Sequence, residues 1–225
     1  MIISVHLPKT AGVSFRATLE KKFGVQLKPD YGDRPLHKGD FERNFSSIED
    51  AAKIDMVKLD GVACIHGHFL PIKYLLLRDR AATTFVTWMR HPVDRIVSHY
   101  KFWKREYNAS TAGPLHKRVI EEDWTLRQFC LSDEIRNLYD KFLWAFPIGY
   151  FDFIGVVEFY EEDHAYFVRN YLHVNTATER LNASPSRDHL VELDLGFRRD
   201  VEAFHGADMR LYAAALAMRD QRMSG

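Results

Sequence analysis

The sequence contains neither a paired cysteine motif nor an apolar run long enough to cross a bilayer. Cys64 and Cys130 each lie alone in an apolar segment. Because no CxxC spacing occurs, the sequence indicates no zinc or redox site, and we expect two buried free thiols. No apolar stretch approaches the roughly 20 residues of a membrane helix. The N-terminal segment lacks the basic and apolar regions of a signal peptide, so we expect a cytoplasmic protein.

An excess of charge of either sign is also missing. Lys and Arg number 31, Asp and Glu number 31, and the formal net charge is +0. This balance argues against a nucleic-acid partner. The length of 225 residues predicts a single domain over 1–225, and the 46% hydrophobic share is typical of globular proteins.

Strands alternate with helices along the chain. Runs of β-branched and aromatic residues predict strands at 2–6, 61–66, 83–89 and 153–157. Helical spacing of apolar residues predicts helices at 13–22, 46–53, 72–77, 92–104, 115–121, 125–131, 161–171 and, with breaks at two glycines, 189–219. This alternation predicts an α/β fold of three layers, α/β/α, with a mostly parallel central sheet.

The segment from His6 to Ser14 (HLPKTAGVS) joins the first predicted strand to the first predicted helix. Amides at the start of a helix point outward, and the helix dipole favours an anion there. Lys9 adds a positive charge, and Thr10 and Ser14 add hydroxyl donors. This is the chemistry of a P-loop-like phosphate cradle, although no GxxxxGK[ST] sequence occurs. An ordinary strand–helix turn with an exposed lysine is the alternative.

The segment from Met89 to Tyr100 (MRHPVDRIVSHY) crosses from the third predicted strand into a helix. Arg90 lies at the strand end, and Ser98 lies about two helical turns further on. A guanidinium fork and a serine hydroxyl can together bind a phosphate. A surface arginine and an incidental serine are the alternative for this segment alone.

Together the two segments resemble those of the sulfotransferases that use 3′-phosphoadenosine 5′-phosphosulfate (PAPS). The first is similar to the family's 5′-phosphosulfate loop, PKTGGTS, through Pro8, Lys9, Thr10, Gly12 and Ser14. The second is similar to its 3′-phosphate motif, RDPxERxxSxY, through Arg90, Pro92, Arg95, Ser98 and Tyr100.

Two further segments, IHGHF at 65–69 and FIGVVE at 153–158, resemble the carbohydrate branch of that family, which contains heparan sulfate 2-O-sulfotransferase and small bacterial enzymes. NASPS at 182–186 is similar to the asparagine- and serine-rich loop that precedes the C-terminal helices of many members. The resemblance spans about residues 2–190 in the expected order. Four positions depart from the family's usual Gly, Thr, Asp and Glu, namely Ala11, Val13, His91 and Asp94.

The resemblance implies a P-loop-like fold and the transfer of a sulfuryl group from PAPS, without a metal, to a hydroxyl of a glycan or glycolipid. For an enzyme of this kind trimmed of an upstream anchor, the Golgi lumen is the alternative location. Lys9 would neutralise charge on the leaving group. The implied cofactor-binding residues are Lys9, Thr10, Ala11, Gly12, Val13, Ser14, Phe15, Arg90, Ser98, Ser184, Ser186 and Arg187.

The implied general base lies in the His66-Gly67-His68 segment, because a neutral imidazole accepts a hydroxyl proton near pH 7. We take His68 as the first choice and His66 as the second, and we expect one of them to be a structural histidine. The other nine histidines are interpreted as incidental.

Acceptor recognition is less specified. Three aromatic residues, Trp103, Tyr107 and Trp124, are candidates for stacking on sugar rings. The candidates for a basic rim are Lys101, Lys104, Arg105, Lys117 and Arg118. A solvated helix face with core aromatics is the alternative. Two other functions stay open, a P-loop-like nucleotide kinase and a non-catalytic glycan- or nucleotide-binding module.

Overall fold

Five short parallel strands form one sheet in the computed structural model, which describes residues 1–33, 35–78, 82–174 and 193–224. The strand order is β2-β3-β1-β4-β5, and every neighbouring pair is parallel. The strands are β1 (Ile2–Val5), β2 (Leu27–Asp30), β3 (Cys64–Gly67), β4 (Thr84–Met89) and β5 (Phe153–Val156).

The α-helices of the described residues lie between and after these strands. They are α1 (Gly12–Phe23), α2 (Asp40–Ala52), α3 (Pro92–Arg105), α4 (Pro114–Glu121), α5 (Leu126–Cys130), α6 (Leu138–Phe142), α7 (Tyr160–Asn170), α8 (Leu195–Phe204) and α9 (Gly206–Ser224). Shorter 3₁₀ segments occupy Gly24–Gln26, Pro35–His37, Met56–Leu59, Pro71–Leu77, Ile148–Tyr150 and Val157–Phe159.

Both faces of the sheet are covered, because side chains alternate across each strand. On one face Ile3 and Phe85 pack with residues of α6 and α9. On the other face Val86 and Phe153 pack with residues of α1 and α7. The predicted three-layer α/β/α class with its parallel sheet is confirmed, and β1 leads through a tight loop into α1 as in a P-loop fold.

The edge strand β2 was not predicted, because Pro29 interrupts its short run. A proline removes one ladder donor, which an edge position tolerates. β2 stands first in the strand order and pairs with β3, in the register Leu27↔Cys64. Tyr31, which follows β2, therefore lies beside the residues that follow β3.

Several helix boundaries also differ from the prediction. α2 begins at Asp40 rather than at 46, α6 was missed, and Pro71–Leu77 is a 3₁₀ segment. Gly196 lies inside the first turn of α8 instead of at a break, whereas Gly206 does begin a new helix. Within the described ranges, no helix is both long and apolar enough to cross a membrane.

Candidate active site

A cavity of about 710 Å³ opens at the carboxyl edge of the sheet. Its walls include His6 after β1, Tyr31 after β2, His68 after β3 and Arg90 after β4. The chain crosses from one side of β1 to the other between β3 and β4. Ligands of open parallel sheets bind at such a reversal of strand order. The topology alone therefore brings together segments that lie far apart in the sequence.

The loop between β1 and α1 has a strained, tightly turned backbone. Lys9 has φ 69° and Ala11 has φ 62°, both in the left-handed region. Each such residue costs on the order of 1 kcal/mol when it is not glycine. The Thr10 hydroxyl donates to the carbonyl oxygen of Leu7 at 2.8 Å and is buried. The loop thus places Lys9 in the cavity wall and turns Thr10 inward.

The start of α1 faces the same cavity. Gly12, Val13 and Ser14 line it, and their amides precede the first intrahelical bond, in which Phe15 N–H donates to the Ala11 carbonyl at 3.1 Å. Outward amides at a helix start bind anions. The Thr10 hydroxyl and the Phe15 amide are already engaged within the protein, and the Phe15 side chain belongs to the core.

The predicted second phosphate site lies across the cavity wall. Arg90 at the end of β4 and Ser98 on α3 both line the cavity. Lys9 also lines it, with its Nζ 4.2 Å from the centroid of the Phe102 ring on α3. The cavity thus carries two cationic side chains from separate elements. Ser184, Ser186 and Arg187 lie outside the described residues.

His68 is held with one ring nitrogen committed. Its Nδ1 lies 2.5 Å from the carbonyl oxygen of His6. A carbonyl only accepts, so Nδ1 carries the hydrogen and the lone pair remains on Nε2. Burial lowers the pKa of His68 below its usual 6.5, and the hydrogen bond to His6 partly opposes this. A neutral imidazole with a defined basic atom therefore lines the cavity.

His66 has a different environment. It is 2% exposed and does not line the cavity. Its Nδ1 lies 2.8 Å from the Ser4 hydroxyl, and its Nε2 has no hydrogen-bond partner among the described residues. Burial, followed by the charges of His68 and Arg16, lowers its pKa to about 3. These features are those of a structural histidine.

His6 was interpreted as incidental, yet it is central to the cluster. Its ring stacks on His68 with centroids 4.2 Å apart, and its Nδ1 lies 3.2 Å from the Tyr31 hydroxyl. A Cβ at Gly12 would lie 1.7 Å from Nε2 of His6, so this imidazole occupies the space that glycine leaves. The available sequence signal was position, since His6 follows β1 as His68 follows β3.

The remaining wall of the cavity is largely aromatic. Phe102, Trp103 and Phe142 line it, and Trp103 also borders a second cavity of about 290 Å³. Of the other predicted stacking residues, Tyr107 donates to Glu121, and the indole N–H of Trp124 donates to Glu122. Several cations of the predicted rim are paired, namely Lys104 with Asp123, Arg105 with Glu106 and Arg118 with Glu134.

No metal cluster is evident in the part of the chain that the structure describes, where no three His, Cys, Asp or Glu side chains converge suitably. Cys64 and Cys130 are buried free thiols, and burial raises the pKa of each to about 12. The expectation of two buried free thiols is confirmed.

Comparison with known proteins gave remote matches. No family model and no curated protein matches the chain. Similar solved structures include two sulfotransferases. A sulfotransferase from Alicyclobacillus acidocaldarius shares 16% identity at a TM-score of 0.48, over 95% of this chain and 94% of that one. Mouse sulfotransferase SULT7A1, complexed with PAP, shares 11% at a TM-score of 0.44, over 100% and 88%. Similarity this remote does not assign an activity.

Proposed function

We propose that the protein transfers a sulfuryl group from PAPS to a hydroxyl of a carbohydrate or glycoconjugate. One observation carries the proposal. A single cavity is lined by Lys9, the first turn of α1, Arg90, Ser98 and His68, which derive from motifs spread over 90 residues of sequence. When bound, PAPS supplies an activated sulfuryl group and a bisphosphate nucleotide as the leaving group. The cavity volume of about 710 Å³ suits a ligand of this size.

Lys9 and the α1 amides form the first anion site. The ammonium group and the amides of Gly12, Val13 and Ser14 would hold the 5′ end of the nucleotide. As the sulfuryl group departs, negative charge grows on the leaving oxygen. A cation placed there binds the transition state more tightly than the ground state, which is what raises kcat.

Arg90 and Ser98 form the second anion site and would bind the 3′-phosphate. A guanidinium presents paired donors that match phosphate oxygens, and a serine hydroxyl adds one more. A bisphosphate nucleotide needs two separated anion sites. Lys9 follows β1 and Arg90 follows β4, so the two cations lie at the ends of different strands and can serve two separate anion sites.

His68 would act as the general base. Its Nε2 is the basic atom, since Nδ1 donates to the His6 carbonyl. The acceptor hydroxyl would transfer its proton to Nε2 while its oxygen attacks sulfur. A pKa below 6.5 keeps the ring neutral at pH 7 and thus able to accept that proton. The His6 carbonyl would then stabilise the imidazolium through the same hydrogen bond.

The carbohydrate assignment rests on the sequence resemblance and on the aromatic wall. Trp103 is stacked on His116, with centroids 4.6 Å apart, and it borders both cavities. A fixed indole face at the cavity edge suits the apolar face of a sugar ring.

The proposal is tested by transfer from radiolabelled PAPS to a panel of glycans and lipid-linked sugars, together with calorimetric titration of nucleotides. Label should move to a hydroxylated acceptor, and 3′,5′-adenosine bisphosphate should bind far more tightly than ADP or ATP. Preference for ATP would indicate a kinase. Failure to bind any of the three would indicate a non-catalytic module.

A further inference from the structure

The peptide that follows β4 is held by side chains rather than by the sheet. The β4–β5 ladder ends at Met89. One hydroxyl, that of Tyr139, then serves both main-chain groups of Arg90. It accepts from the amide N–H at 3.0 Å and donates to the carbonyl oxygen at 2.7 Å. The next amide, of His91, donates to the Glu158 carboxylate at 2.7 Å. Glu158 closes the FIGVVE segment.

Tyr139 is itself rigidly held. It is fully buried, and its own N–H donates to Oδ1 of Asp208 on α9 at 2.9 Å. Its ring centroid lies 5.7 Å from the guanidinium carbon of Arg95. Asn137, at the start of α6, makes no side-chain capping bond, so Asp208 satisfies the helix amides from α9. Burial raises the pKa of the phenol, which keeps its hydroxyl protonated and able to donate.

We propose that Tyr139 is a positioning residue for Arg90, and that its hydroxyl aims the guanidinium at the 3′-phosphate of the nucleotide. This inference rests on the proposed function. A strand-end peptide without ladder bonds has freedom to rotate, and a displacement of about 0.5 Å is enough to spoil a bidentate contact. The hydroxyl removes that freedom by bonding to both sides of one residue.

The test compares two ligands that differ only in the 3′-phosphate, 3′,5′-adenosine bisphosphate and 5′-AMP, by calorimetry. Tyr139→Phe keeps the ring and removes the hydroxyl. We expect bisphosphate affinity to fall about tenfold, the lower end of the loss for removing an outer partner of a binding group. AMP affinity should change by less than about twofold. The matched control is Tyr171→Phe, which removes a hydroxyl bonded to the Asp152 carbonyl at 2.6 Å and should alter neither affinity.

Equal weakening of both ligands, or no change in either, would overturn the positioning role. If the protein without substitutions bound the bisphosphate and 5′-AMP with equal affinity, the proposed function would be overturned instead. A second measurement needs no variant. The bonded amides of Arg90 and His91 should exchange hydrogen slowly in the unchanged protein. Exchange as fast as that of a solvent-exposed amide would refute the inference even if Tyr139→Phe does not fold.

Discussion

Replacing His68 with alanine should abolish most transfer and leave bisphosphate affinity nearly unchanged. The hydrogen bond of the ring defines its role, because Nδ1 is committed to the His6 carbonyl at 2.5 Å and only Nε2 is left to accept a proton. The expected loss of rate is that of a missing general base. Loss of a general base costs about 10²- to 10⁴-fold in kcat. That range equals about 3–5 kcal/mol of barrier height. Single-turnover transfer from labelled PAPS gives the rate, and calorimetry with the bisphosphate gives the affinity.

The control for this prediction is His66→Ala. His66 is buried away from the cavity, so its removal should cost about 3 kcal/mol of unfolding free energy, as deletion of a large buried ring does, and little activity. The pH profile adds a second readout. Because burial lowers the pKa of His68, kcat/KM should rise with pH below 6.5 and be level near pH 7. An active His68→Ala protein, or a kcat/KM that falls as pH rises toward 6.5, would refute the assignment. If His66→Ala abolished transfer and His68→Ala did not, His66 would be the general base.

Four further outcomes follow from the site. Lys9→Ala should lower kcat by about 10²-fold or more and weaken nucleotide binding less, and normal turnover would exclude its leaving-group role. Arg90→Ala should weaken the bisphosphate and spare 5′-AMP, as calorimetry with both ligands would show. Gly12→Ala should lower the melting temperature, since its Cβ would lie 1.7 Å from the His6 ring. In the double variant, His6→Ala should restore the melting temperature. A melting temperature that stays low would contradict the steric cause. Acid should destabilise the fold through His66, whose pKa is about 3 when folded and 6.5 when unfolded. The unfolded chain binds the proton more tightly in that interval, so unfolding free energy should fall by up to about 1.4 kcal/mol per pH unit as pH drops from 6.5. A denaturant titration of His66→Gln with an equally steep slope would contradict this.

The strands that carry strong patterns were predicted well. β4 and β5 are rich in β-branched and aromatic residues and are buried along almost their whole length, which local composition reveals. β2 and α6 were missed for a common reason, since each is stabilised mainly by tertiary partners. β2 depends on pairing with β3, and the first turn of α6 depends on Asp208. Local patterns cannot report such partners.

The candidate site divides in the same way. Lys9, Arg90, Ser98 and His68 were predicted because their types and spacing follow strand ends, where parallel sheets bind ligands, and all four line the cavity. His6, Tyr31 and Tyr139 were not found. His6 and Tyr31 line the cavity, and Tyr139 bonds to the main chain of Arg90. Strand pairing and packing bring them there from segments distant in sequence, and no motif singled out any of the three.

The sequence by itself predicted four of the five strands, the loop that carries a lysine into a helix start, and a set of candidate residues for two phosphate groups. These properties depend on neighbours within a few positions of the chain. Only the tertiary structure decided that His68 lines the cavity while His66 pairs with Ser4 inside the core. The two histidines are two residues apart in one extended segment. They differ in what lies opposite them. The Ser4 hydroxyl, within β1, lies beside His66, and the carbonyl oxygen of His6, just after β1, lies beside His68. Strand pairing over 62 residues of sequence creates that difference, and no local pattern encodes it.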